Sequence, residues 1–287
     1  MTVGEDLKST AMMNVLLNRY CGGGGELLRF LPEEERNASS VLAIASDDIA
    51  AAALFSQETL FAMHYSWIAS VIEKTPEELH CYLFSVLTDA QLRGLSVIMK
   101  EELTKQPLTN KIRAFFVDYF FSFFDSDDVI VREWLPTMEL SSLLGCDKQM
   151  LVKVIDFLGL HDLAKEMPMV LDKGVLAKIY GMLTAPQKRY IKQCTREHDS
   201  VSLPKLHLQR WDGDTVKLKN IIHRRGLIRL AFTVADESPA FIWHLCHHLD
   251  TGRAAAIEKH IISFAINKDI VAVLKKQVHN LITFLRA

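Results

Sequence analysis

His244 and His248, four residues apart with Cys246 and His247 between them, are the first residues in this chain whose types and spacing could do chemistry. Two imidazoles at that spacing share one helix face and can grip a zinc ion together. A closed zinc site needs two further ligands and an open one needs a third. No Cys or carboxylate pattern nearby supplies them. Leu245, Cys246 and Leu249 therefore read as core, with the histidines at its rim and no metal expected. Other chemistries fail sooner. Gly22–Gly25 precede Glu26 rather than a Lys-Ser/Thr pair, so the residue that would meet a phosphate is missing. The GxSxG, HExxH, CxxC and calcium-loop patterns do not occur. Neither catalysis nor a cofactor is expected.

Recognition is the better reading where charge gathers. Lys217, Lys219, Arg224, Arg225 and Arg229 place five cations within 13 residues, on what reads as two short helices meeting at Gly226. Neither interleaved aromatics nor a reading-helix motif accompanies them, so nucleic acid is not expected. The five residues are the candidate partner-binding site, and an acidic protein surface is the fitting partner. The chain as a whole is close to neutral, with 33 basic and 35 acidic residues, but its charge is unevenly placed. Residues 1–125 sum to −7, 126–200 to −1 and 201–287 to +6. An acidic head and a basic tail can meet different partners, or each other in a neighbouring copy.

The elements that must position these residues are helical. Apolar residues recur at three- and four-residue spacing almost throughout, and alternating strand-like runs are nearly absent. Pairs such as Thr75-Pro76 and Ser238-Pro239 are helix entries, because Pro at a first helical position lacks only an amide that would be unpaired anyway. An all-α protein of about fifteen short helices is expected. With 287 residues, 49% of them apolar, and only 8 Pro and 13 Gly, the chain can build ordinary cores. Breaks are expected at Gly22–Gly25, Asp125–Asp128 and Glu197–Ser200. Seven aromatics between Phe115 and Phe124 exceed one helix face, so this helix is expected in a core or between domains.

Repeats carry more than any single motif. Asp147, Leu151, Ile155, Gly159-Leu160 and Leu163-Ala164 match Asp214, Leu218, Ile222, Gly226-Leu227 and Leu230-Ala231 at a constant offset of 67. Leu79, Leu83-Phe84, Leu87-Thr88 and Gln91 match Val175, Ile179-Tyr180, Leu183-Thr184 and Gln187 at an offset of 96. Phe241, Leu245 and Leu249-Asp250 follow with one residue of slip. Each unit reads as two or three helices with a tight turn at Gly-Leu or at Thr/Ser-Pro. Such units bury their apolar faces only by stacking on neighbours.

The stretch Asn37-Ala38-Ser39-Ser40-Val41-Leu42-Ala43-Ile44-Ala45-Ser46-Asp47-Asp48-Ile49-Ala50-Ala51 resembles the opening of the N-terminal domain of the flagellar motor switch protein FliG family. Trp211-Asp212-Gly213-Asp214 through Leu230-Ala231, then Ala254–Ala256 and a last helix Val271–Leu285, resemble that family's C-terminal domain. The resemblance implies three small helical domains with armadillo-like stacked units. Residues 1–25 would be an N-terminal helix and Gly-rich break, 26–125 a FliG-N-like domain, 126–200 a middle helical domain and 201–287 a FliG-C-like domain. It further implies a non-enzymatic component of a ring at the cytoplasmic face of a flagellar or type III secretion basal body. The partners implied are other copies and basal-body ring or switch proteins. Two departures stand out. The family's Glu-His-Pro-Gln signature and Gly-Gly loop are missing between Leu135 and Ser200, and Lys217–Arg229 holds no carboxylate where the family's torque helix has an acidic pair.

The location implied is cytoplasmic and peripheral to the inner membrane. Five scattered cysteines without CxxC fit reduced thiols. The acidic start is not expected to be a secretory signal, and no uncharged apolar run reaches the ~18 residues of a spanning helix. The rival expectation is a soluble helical-repeat adaptor that binds a protein partner without assembling.

Overall fold

The computed structural model describes residues 13–17, 20, 29–33, 36–37, 57–124, 132, 135, 139–196, 201, 203–264 and 267–286. All regular structure among them is helical, as the apolar spacing predicts. Gly22–Gly25, residues 38–51 of the FliG-like stretch, Asp125–Asp128 and Glu197–Ser200 lie outside the described residues. The chain divides into two compact units. One comprises residues 1–138 with 237–251, the other 139–236 with 252–287. Their formal charges are more polarised than any division by thirds: −11 for the first and +9 for the second.

The first unit contains α1 (Gln57–Ala62), α2 (Tyr65–Ile72), α3 (Glu77–Val86), α4 (Asp89–Met99) and α5 (Asn110–Phe121). The second contains α6 (Ser141–Leu144), α7 (Lys148–Glu166), α8 (Lys173–Met182), α9 (Ala185–Cys194) and α10 (Thr215–Thr233). The chain then returns α11 (Pro239–His248) to the first unit, and α12 (Thr251–Ser263) and α13 (Lys268–Arg286) complete the second.

The aromatic run explains the first core. On α5, Phe116, Val117, Phe120 and Phe121 are buried, while Phe115 points outward at 61% exposure. The inward set meets Leu60, Ile68, Leu83 and Leu95, and Tyr82 stacks on Phe116 with centroids 5.1 Å apart. Each such side chain contributes about 1.5–3 kcal/mol by leaving water. Gln91 adds a polar stitch. Its Oε1 accepts from the Thr88 amide in a capping box, and its Nε2 donates to the carbonyls of Leu60 (2.7 Å) and Met63 (2.9 Å). Thr184 and Gln187 repeat the capping box at the start of α9.

The 67-residue repeat is a structural one. α7 and α10 are both 19 residues long, start 67 residues apart and are capped by Asp147 and Asp214. α3, α8 and α11 are each ten residues, and each ends on a leucine in extended conformation: Leu87, Leu183 and Leu249. The Gly-Leu pairs, read as turns from sequence, sit inside these helices instead. A Cβ on Gly159 would lie 2.0 Å from the Ile222 carbonyl oxygen, and one on Gly226 would lie 1.7 Å from the Ile155 oxygen. Helix α10 touches α7 as α7 touches α10. The glycines are there for close backbone approach, and Lys217–Arg229 lies on one continuous helix.

α11 docks in the first unit through backbone and rings. The His64 amide donates to the His247 carbonyl (2.8 Å), and the Trp67 indole donates to Leu249 (2.9 Å). The His247 ring lies against two indoles, 4.2 Å from Trp67 and 3.9 Å from Trp243. Its Nδ1 donates to the Trp243 carbonyl, and its buried Nε2 has no hydrogen-bond partner. Burial pushes its pKa from 6.5 down to about 4, with His244 adding to the shift and the Trp243 bond opposing it.

Two outcomes follow. Gly226→Ala forces the two backbones apart and should cost ~3 kcal/mol or more, read by urea denaturation with an unchanged m-value. The unfolded chain takes up a proton at His247 near pH 6.5 that the folded chain refuses until about pH 4. This contribution to stability is therefore fully present above pH 6.5 and falls by about 3 kcal/mol as pH drops to 4. The stability of the wild type relative to His247→Phe should fall by about that amount across the interval; a pH-independent difference would contradict the assignment.

Candidate functional site

The five predicted cations separate into three environments. Lys217, Lys219 and Arg224 are exposed on α10. Lys217 reaches back to Asp212 (3.1 Å), a pair with both side chains more than half exposed, whose worth is small. That carboxylate's pKa is lowered chiefly by the Asp214 amide and next by Lys217. Arg225 is half-buried and donates to the Pro204 carbonyl (2.6 Å), so it ties down the segment before α10.

Arg229 is not a surface residue. It is fully buried; its Nη2 donates to the Asp162 carboxylate and its Nη1 to Gln277 Oε1 (3.1 Å). Asp162 is itself 8% exposed. A side chain held this way cannot greet a partner, and Arg229 leaves the candidate surface. Lys on α10 and Arg at its far end share a spacing, but Arg229 falls on the face that meets α7.

The patch extends where sequence spacing did not point. His260 on α12 has its pKa lowered, first by desolvation and then by repulsion from Lys259 and Arg224. Arg224, Lys259 and His260 are therefore neighbours, and the basic surface runs from α10 onto α12. The separation of 36 residues between Arg224 and His260 hides this in the sequence. Close by, a polar chain links the repeats: His223 Nδ1 donates to Asp156 (2.6 Å), and Arg253 Nε donates to His223 Nε2 (3.0 Å). The pairing fixes the tautomer in which His223 bridges a carboxylate and a guanidinium. The chain joins α7, α10 and α12 and so positions the three helices.

His244 and His248 are both buried on α11. Among the described residues no group of three or more His, Cys, Asp or Glu side chains could hold a metal ion. Among those same residues no helix is long and apolar enough to cross a membrane. No protein-family model, curated protein or solved structure matches this chain.

Arg229 and Arg224 should behave oppositely when substituted. Arg229→Met leaves the Asp162 charge buried without its guanidinium and should cost about 3–5 kcal/mol. Arg224→Glu should leave the denaturation midpoint almost unchanged while raising the His260 pKa, followed by its imidazole proton shifts. A large stability loss at Arg224, or none at Arg229, would reverse this assignment.

Proposed function

We propose that this chain is a non-enzymatic structural component that self-associates, in the manner of the FliG family, within or onto a ring at the cytoplasmic face of a membrane-embedded flagellar or type III secretion basal body. The observation that carries the reading is a helix left uncovered. α8 and α11 are equivalent helices of two repeats, set 66 residues apart. On α11 the face carrying Trp243, Cys246 and His247 is packed under Trp67 and Phe124. On α8 the corresponding positions are Ala177, Tyr180 and Gly181, and all three are exposed. Leu171, just before α8, is 89% exposed, and Met169 is 53% exposed.

An apolar repeat face without a covering layer suits a head-to-tail contact with another copy. Charge favours the same pairing, since a −11 unit and a +9 unit attract across a heterologous interface. The ring components of the basal body would be the further partners, and peripheral attachment to the inner membrane would run through them.

Light scattering on the full chain tests assembly. The wild type should gain mass with concentration, more at low than at physiological salt. Leu171→Glu with Tyr180→Glu should hold it monomeric at an unchanged helical spectrum. Co-purification from cells should bring down basal-body ring proteins with the wild type and lose them with the double variant. A wild type that stays monomeric, binds one soluble protein and recovers no ring component would overturn the ring reading in favour of an adaptor.

A further inference from the structure

The geometry points to a second interaction surface: a groove between α7, α9 and α13 that binds an acidic amphipathic helix of a partner protein. The groove encloses about 420 Å³, against 280 and 140 Å³ for two cavities beside the 203–209 segment. It shares no residue with the exposed face of α8 and requires no ring assembly.

Its walls are apolar and only half covered. Met150, Phe284 and Leu285 are half-buried along the sides, Pro186 is exposed at one end, and Phe157 forms a floor at 6% exposure. The floor is rigid. Phe157, Tyr190 and Phe284 form a ring triangle with centroids 5.1–6.1 Å apart, and the Tyr190 hydroxyl bonds the buried His161 ring at 2.9 Å. Met and Phe on a firm base are the anchors that protein interfaces use.

Charge selects the occupant. Lys153 and Arg189 both line the groove, both are exposed, and neither has an ion pair or hydrogen bond among the described residues. The carboxylate that also lines the groove, Asp156, is already engaged by His223, which Arg253 backs. Two unanswered cations beside an apolar trough call for carboxylates on either side of apolar anchors. An amphipathic helix presents that pattern, with anchors at i, i+3, i+4 and i+7 and Asp or Glu flanking them. Half-exposed walls do not wrap a small molecule as ligand cavities do, whereas they seat one face of a helix.

The test uses the full chain and two stapled synthetic helices of roughly 15 residues, long enough to hold their shape. Both carry Leu and Phe anchors; one is flanked by Glu, the other by Lys. Fluorescence anisotropy should show saturable binding of the Glu helix, at least tenfold tighter than the Lys helix and weaker as salt rises. Lys153→Glu with Arg189→Glu should reverse that preference without changing the helical spectrum, because both side chains are exposed. Leu285→Asp should weaken both helices at least tenfold. Equal binding of the two helices, a preference unmoved by the double reversal, or saturable binding of monomeric dodecanoate with no binding of either helix would overturn the proposal.

Discussion

The second unit depends on two backbones touching where α7 and α10 cross. A helix pair normally keeps 8–10 Å between axes because side chains fill the space. At Gly159 and Gly226 there is no side chain, and the opposing carbonyl oxygens of Ile222 and Ile155 stand where a Cβ would be. The contact is reciprocal because both helices carry the same repeat: each glycine faces the isoleucine four residues before the other glycine. Close approach of two equivalent helices then brings equivalent positions face to face. Asp156 meets His223 and Asp162 meets Arg229, both pairs separated by 67 residues. Had the repeats kept identical residues there, like charges would have been forced together in a dry interface. Asp opposite His and Asp opposite Arg resolve the conflict that the crossing creates.

These pairs specify more than they stabilise. Burying Arg229 and Asp162 removes two ions from water, and attraction between them does little more than recover that cost. Gln277 from α13 matters for the balance, since its Oε1 accepts a hydrogen bond from the buried guanidinium. The net stabilisation of the unit comes from Leu151, Val154, Ile155, Leu158, Leu218 and Leu230 leaving water, all nearly or fully buried. What the ionic pair adds is register. A slip of one turn along either helix would separate Asp162 from Arg229 and place an isoleucine side chain against the other backbone.

The helical class and the repeats were legible from sequence because both rest on spacing along the chain. Seven matched positions at offset 67 are the two 19-residue helices themselves. The Thr88-Gln91 and Thr184-Gln187 caps were equally visible, since a capping box is local. The Gly-Leu pairs misled because a glycine within a helical pattern reads as a stop unless one knows that a backbone lies opposite. The same blindness placed Arg229 on the surface: five cations in 13 residues look like a patch until helix phase and the carboxylate 67 residues away are known. Lys259 and His260 joined the basic surface through a contact between α10 and α12 that no local spacing records. The aromatic run was read correctly as packed, but only the fold says that Phe115 is left outside.

Repetition of backbone has not meant repetition of role. α3, α8 and α11 have equal length and the same leucine stop, yet their exposed faces differ. α11 is apolar or aromatic almost all round, with Phe241, Trp243, Leu245 and Cys246 in consecutive turns, and a helix of that kind must be enclosed. α8 keeps the inner line through Ile179 and Leu183, but carries Lys173, Lys178 and Gly181 on the other side. Gly181 has open space where His247 has two indoles. The ends of the helices hold both in the same repeat geometry, while a few outward positions decide whether the helix is core or surface. Differences at those positions close the fold at α11 and leave a face open at α8. The face that is open is therefore a property of a few outward side chains and not of the backbone plan that the two helices share.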